Sequence, residues 1–146
     1  MNNWVYGKEI YSMNEVINTL KNKKEIHIGT DSQPKGINSL FVTAICFVDK
    51  NKIDYFWNKK LIQINGKDYN NRLPLEIYTS IDIAIYISER INEPDISIHF
   101  DINSNPKFRS NVYYGMAKGM AEGCGFDYFV KPKSWAASSV ADWYTK

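Results

Sequence analysis

Four carboxylates stand where local structure would give them chemical use. Asp31 closes the alternating run Ile26-His27-Ile28-Gly29-Thr30, and Asp101 closes a second such run from Ile96 to Phe100. Glu76 falls in the first turn of a long apolar segment, and Asp142 follows Ser138 by four residues near the end of the sequence. Brought together, such groups repel unless cations neutralise them, and hard oxygen donors suit Mg²⁺ or Mn²⁺. Two such ions ~4 Å apart can activate a water and stabilise the leaving oxygen of a phosphodiester. The chemistry expected of the set is therefore two-metal hydrolysis of a nucleic-acid backbone.

Each acid also has a plainer use. Asp31 and Asp101 would serve as turn residues after strands, and Glu76 would complement a helix dipole. Asp142 is different, because an acid near a helix C-terminus opposes the dipole and local physics gives it no task.

The two strand-borne aspartates meet only if their strands lie side by side and parallel, ending at the sheet edge where α/β sites form. The elements allow this. Ser12-Met13-Asn14-Glu15 is a capping box that opens a short helix over residues 12–23, closed by Lys21, Lys23 and Lys24. Ile26 to Asp31 reads as a strand, stopped by the turn-rich Asp31 to Gly36. Leu40 to Val48 is a second strand, Asp49 to Lys52 a hairpin turn, and residues 53–64 a third strand. From Leu73 to Ile91 the isoleucines alternate, but the length without a turn and Pro74 as a first helical residue favour a buried helix.

Asp95 to Asp101 is a fourth strand. Ser104-Asn105-Pro106 opens a helix with Phe108, Val112, Met116 and Met120 on its face, and Gly115, Gly119 and Gly123 suggest close backbone packing. Gly123-Cys124-Gly125 ends that helix. Phe126 to Val130 is a fifth strand, Lys131-Pro132-Lys133 a turn, and Ser134 the cap of a closing helix. The expectation is one α/β domain over residues 1–146, with a helical extension at 1–24 and a core from 25 onward. Its mixed sheet has five strands, the first three antiparallel, and helices cover both faces.

Around the acids lie candidate helpers. His99 shares a strand face with Asp101, as His27 does with Asp31; His99 could orient a ligand or shuttle a proton, whereas His27 reads as a hydrogen-bonded core residue. Lys131 and Lys133 would hold a phosphate just before the helix of Asp142. Tyr55, Phe56, Trp57, Lys59 and Lys60 interleave aromatics with bases as a stacking surface does, although alternation sends half the aromatics to the core.

Composition narrows the class. The 146 residues are 44% hydrophobic and 14% aromatic, which suits one cored domain and excludes a disordered chain. Eighteen Lys+Arg against 16 Asp+Glu leave a formal charge of +2, which permits a nucleic-acid partner without arguing for one. Cys46 and Cys124 have no metal-binding or disulfide spacing, and Cys46 reads as a small buried hydrophobe. Met1-Asn2-Asn3-Trp4 is no signal peptide, and the apolar stretches fall short of the ~20 residues of a membrane span. A cytoplasmic setting is expected.

Three segments carry a resemblance: Ile26 to Ser32, Ile96 to Asn103, and Ala136-Ala137-Ser138-Ser139-Val140-Ala141-Asp142. Together they look like the ribonuclease H-like superfamily, and within it the YkuK-like group of bacterial ribonuclease H-related nucleases. The resemblance implies that Asp31, Glu76, Asp101 and Asp142 are catalytic metal ligands for two Mg²⁺ or Mn²⁺ ions, with Asn103 of the Asp-x-Asn motif in support. It implies a metal-dependent nuclease acting on DNA, RNA or a hybrid. The alternative is a non-catalytic nucleic-acid-binding or assembly module on the same fold. An actin- or sugar-kinase-like ATPase would need a second domain to enclose its nucleotide, which 146 residues cannot supply.

Overall fold

A computed structural model describes residues 3–23, 25–65 and 67–146. Met1, Asn2 and Lys24, which entered the reading of the N-terminus and the lysine cluster, lie outside the described residues. The strands are β1 (Trp4–Tyr6), β2 (Glu9–Tyr11), β3 (Glu25–Lys35), β4 (Asn38–Asp49), β5 (Lys52–Ile62), β6 (Asp95–Asn103) and β7 (Asp127–Lys131). The α-helices are α1 (Met13–Leu20), α2 (Tyr69–Ser88) and α3 (Tyr114–Gly123). A 3-10 turn spans Arg109–Tyr113, and a π-helical segment spans Ala136–Ala141.

Among the described residues the strands join one sheet of seven in the order β2-β1-β5-β4-β3-β6-β7. The five expected strands are its β3 to β7, and β3, β4 and β5 are antiparallel to one another as expected. The count of five is corrected by a hairpin in the N-terminal extension. Gly7, at φ 60°, turns β1 into β2, and Val5 of β1 pairs with Trp57 of β5. Strands of three residues are too short to show periodicity, so the extension read as helix alone. Within it, α1 forms as expected: Ser12 Oγ accepts from the Glu15 N–H, and Glu15 accepts from the Ser12 N–H.

Several boundaries move, with consequences for the acids. Strand β3 runs on past Asp31 to Lys35, paired with β4 through Pro34↔Ser39, and β6 runs on to Asn103. Pro34 is tolerated because β6 pairs with β3 only over Glu25–Gly29, which leaves that side of β3 without a ladder at the proline. Helix α2 begins at Tyr69, capped by the Asp68 side chain on the Asn70 N–H at 2.9 Å. Pro74 is therefore interior, and Glu76 is not in the first turn.

The helix expected from Pro106 is instead a 3-10 turn followed by α3. Phe108 and Val112 are exposed, and the buried face of α3 is Ala117 and Ala121. A Cβ on Gly115, Gly119 or Gly123 would meet nothing within 4 Å, so no close packing accounts for these glycines. Ser134 makes no side-chain cap; its Oγ pairs with Ser138 Oγ at 2.8 Å.

The larger core lies between the sheet and α1, α2 and α3, filled by Ile28, Ile45, Phe56, Ile77, Ile83 and Ile98 among others. The smaller core, on the other face, packs Val42, Ala44 and Cys46 against Ala136 and Ala141. Helices thus cover both faces, as the sequence suggested. No helix among the described residues is long and apolar enough to cross a membrane.

Candidate active site

Parallel pairing of β3 with β6 in the register Ile28↔Ile98 and Gly29↔His99 carries Asp31 and Asp101 to the same sheet end. There the two strands diverge, and the gap between them is where the acids gather. Side-chain alternation sends Ile28, Thr30 and Ser32 toward α2, and Gly29 and Asp31 toward the π segment. Glu76 thus arrives from one face of the sheet and Asp142 from the other.

Helix α2 is pinned over this gap by polar contacts inside the core. Thr30 Oγ1 lies 2.7 Å from Ser80 Oγ and 3.0 Å from Thr43 Oγ1, and one turn further Ser32 Oγ donates to Glu76 Oε2. Arg72, one turn before Glu76, donates to the Ser32 carbonyl and hydroxyl oxygens, each at 3.1 Å. Asp31, Glu76, Asp101, Tyr69, Arg72 and Lys131 line one cavity of about 190 Å³.

Asp31 is the centre of the cluster. It is 4% exposed, and its Oδ2 is buried with no hydrogen-bond partner among the described residues. Burial raises its pKa far above the carboxylate range, and Glu76, a carboxyl–carboxyl approach from Asp142, and Asp101 raise it further. Burial also lifts Glu76 to about 8, against the pull of the Ser32 hydroxyl, with Asp101 adding to the rise. Lysines answer the outer two acids. Lys131 Nζ lies 3.3 Å from Asp101 Oδ1, which also accepts from Ser138 Oγ at 2.9 Å. Lys146 Nζ lies 3.5 Å from Asp142 Oδ2, one helical turn on. That pairing answers the dipole conflict that set Asp142 apart in the sequence.

The π segment that ends beside Asp142 is seated by β3 and β6. Gly29 is where the close approach occurs: a Cβ there would fall 2.4 Å from Ala137 N and 2.6 Å from Ala136 C. Beside it the Ala136 N–H donates to His99 Nδ1 at 3.1 Å, and His99 Nε2 lies 2.9 Å from His27 Nδ1. Burial, then the neighbouring His27, depresses His99 to about 3, and burial lowers His27, so both rings are neutral at pH 7. The tautomers follow. His99 Nδ1 accepts, so its proton is on Nε2 and is donated to His27 Nδ1, which leaves the His27 proton on Nε2 facing Glu25 at 3.9 Å. His99 therefore orients the backbone of the segment that leads to Asp142.

The other candidates are placed as follows. Asn103 shapes the turn after β6, its Oδ1 accepting from the Asn105 N–H at 2.9 Å. Lys131 lines the cavity, and Lys133 is exposed beyond it. Lys59 and Lys60 are on β5, with Lys59 5.6 Å from the Trp57 ring centroid and Lys60 beside a different cavity with Phe41 and Thr43. Phe56 is in the core, and Trp57 stacks on Tyr144 with centroids 4.2 Å apart. Ser32, Ser138, Tyr69 and Arg72 were not singled out from sequence. Ser32 and Ser138 sit inside the strand and closing motifs, whereas Tyr69 and Arg72 preceded the expected start of α2.

The set is all-oxygen, and the orphaned Asp31 Oδ2 is an acceptor that a hard cation would satisfy. Among the described residues, no three His, Cys, Asp or Glu side chains are drawn together tightly enough to form a ligating group as they stand. Lysine ammoniums balance Asp101 and Asp142, while burial favours the protonated form of Asp31 and Glu76.

The ribonuclease H-like family matches the chain over residues 9–146. The chain belongs to that family. Among solved structures it is similar to the N-terminal ribonuclease H domain of a Mycobacterium tuberculosis protein, determined as a fusion with maltose-binding protein. The two share 11% identity over 84% of this chain and 94% of that one, with a TM-score of 0.42. No curated protein matches the chain.

Proposed function

We propose that the chain is a metal-dependent nuclease that hydrolyses phosphodiester bonds of DNA, RNA or a hybrid. Asp31, Glu76, Asp101 and Asp142 would hold two Mg²⁺ or Mn²⁺ ions. The observation that carries this reading is the buried, unpartnered Asp31 Oδ2 with three further carboxylates around its side chain. Leaving such an oxygen without a partner costs on the order of 1–3 kcal/mol, more if charged, so the fold maintains it against its own stability.

When bound, the ions would supply an activated water and charge stabilisation at the leaving oxygen. The protein's own groups do the positioning. Ser32 holds Glu76 toward Asp31, and Ser138 and Lys131 fix one oxygen of Asp101. His99 fixes the segment that brings in Asp142. Lys131, exposed at the cavity mouth, is placed to meet a substrate phosphate. The free thiols Cys46 and Cys124 suit a reducing cytoplasm.

The test is a cleavage panel in Mg²⁺ and in Mn²⁺. It runs wild type beside Asp101→Asn on single strands, duplexes, an RNA–DNA hybrid and a four-way junction. Cleavage lost in the variant supports the reading, and equal cleavage by a folded Asp101→Asn sinks it.

A non-catalytic nucleic-acid-binding module is the second reading, favoured by the absence of a drawn-together ligand trio among the described residues. It predicts strand binding with no heat of Mg²⁺ or Mn²⁺ binding by calorimetry.

A further inference from the structure

After Asn103 the chain leaves the sheet and passes through Lys107, Phe108 and Arg109 into the 3-10 turn. Phe108 is 46% exposed and Val112 77% exposed, and Lys107 and Arg109 are exposed with them. The backbone beneath these side chains is held on two sides. Toward β6, buried Ser110 accepts from the Asn103 N–H at 2.9 Å, and the Asn111 amide donates to the carbonyls of Asn103 and Ser104 at 3.2 and 2.8 Å. Toward α2, Tyr113 OH donates to Asn70 Oδ1 at 2.6 Å, and the Arg109 guanidinium lies 3.9 Å over the Tyr69 ring. An aromatic ring is thus kept in water by a turn tied on both sides.

What surrounds the ring selects its occupant. Lys107 Nζ lies 5.6 Å from the Phe108 ring centroid. Tyr69, under Arg109, lines the carboxylate cavity together with Arg72 and Lys131. Cations therefore run from the turn to the acids, with one exposed π face among them. A phosphodiester strand offers the matching anions, and its bases offer flat faces for stacking, which every base has irrespective of sequence. A duplex keeps its bases stacked on each other and presents phosphates and base edges but no free base face.

Resting on the nuclease reading for its position beside the acids, we propose that the Lys107–Val112 turn is a single-strand platform. Phe108 takes an unpaired base, and Lys107 and Arg109 hold the adjoining phosphates. The substrate class that follows is nucleic acid with unpaired nucleotides next to the bond presented to Asp31 and Asp101.

The experiment is fluorescence anisotropy in Mg²⁺ on the Asp101→Asn chain, which would leave strands uncut. The probes are labelled oligo(dT), labelled oligo(U) and a labelled hairpin duplex. Phe108→Ala should weaken both single strands roughly tenfold while moving the duplex by less than about twofold, and Phe108→Trp should bind single strands as Phe108 does. Arg109→Ala should flatten the salt dependence of strand binding by about one counterion. Equal loss on strands and duplex, no loss, or no strand binding at all overturns the platform. Its failure is separable from that of the nuclease reading. Absence of cleavage by wild type, with Phe108-dependent strand binding intact, would remove the nuclease and leave the platform standing.

Discussion

Gly29 and Ala137 are in backbone contact: a methyl group built on Gly29 would lie 2.4 Å from the Ala137 nitrogen and 2.8 Å from its Cα. Backbone cannot yield as a flexible side chain does, so any larger residue pushes the π segment off β3, and Asp142 with it. Gly29→Ala should cost on the order of 1–3 kcal/mol in urea unfolding. Cleavage should fall much further than that loss implies, because an acid of the cluster is displaced. Activity matching wild type in Gly29→Ala would show that Asp142 is not needed where the fold holds it.

Substitution at His99 tests the same seat from the other side. In His99→Phe the Ala136 N–H loses its acceptor in a buried position, which costs on the order of 1–3 kcal/mol. His99→Asn is shorter but offers an acceptor and should recover part of it. Thermal melts of the three chains rank the outcome: wild type, then Asn, then Phe. A His99→Phe chain that melts above His99→Asn would mean that ring packing against Trp135 and Phe129, not the hydrogen bond, fixes the segment.

The metal-free protein should lose stability as pH rises above neutrality. Asp31 and Glu76 have folded pKa values raised above their unfolded ones, so unfolding releases their protons, and the folded state falls behind as pH climbs toward about 8 and beyond. The slope is up to about 1.4 kcal/mol per pH unit for each proton of difference. His27 and His99 act oppositely, because their folded values are lowered and the unfolded chain gains protons below about 6.5, down toward about 3 for His99. Between about 6.5 and the alkaline range where the Cys46 thiol and the tyrosines titrate, the carboxylates carry the change, so melting temperature should fall there in EDTA. Mg²⁺ should restore it most at the alkaline end, where the ligands are ionised. Asp31→Asn should flatten both trends, and a melt as steep as wild type in that variant would remove Asp31 from the cause.

How much of this was readable in the residues differs element by element. Asp31, Asp101 and Asp142 were singled out because strand ends and a dipole conflict leave local marks, and Glu76 by a place in the first helical turn that the earlier start of α2 moves into the helix interior. Parallel pairing of β3 with β6 followed from ordinary α/β topology. The β1–β2 hairpin escaped because three residues cannot display a period. Tyr69 and Arg72 escaped because Pro74 looked like a helix start, whereas α2, capped by Asp68, begins at Tyr69, four residues before the expected start at Leu73. Phe108 and Val112 read as a buried stripe because spacing alone cannot tell that the backbone there is a 3-10 turn tied to Asn103 and Asn70. The Gly29–Ala137 contact joins segments more than a hundred residues apart, and no local pattern records it.

Lys131 gives the last prediction. Its ammonium sits on Asp101 Oδ1 at 3.3 Å, where a bound cation would compete with it for the same carboxylate. The pair is partly exposed and so worth no more than about 1 kcal/mol. Lys131→Met should therefore lower the Mg²⁺ midpoint in a thermal-shift titration by at most about fivefold. The same change removes a phosphate contact, so affinity for a labelled strand should weaken and its salt slope should shrink by about one counterion. Metal and strand affinity are expected to move in opposite directions. If both weaken, Lys131 organises Asp101 for the metal instead of competing with it, and the lysine belongs to the site in both states.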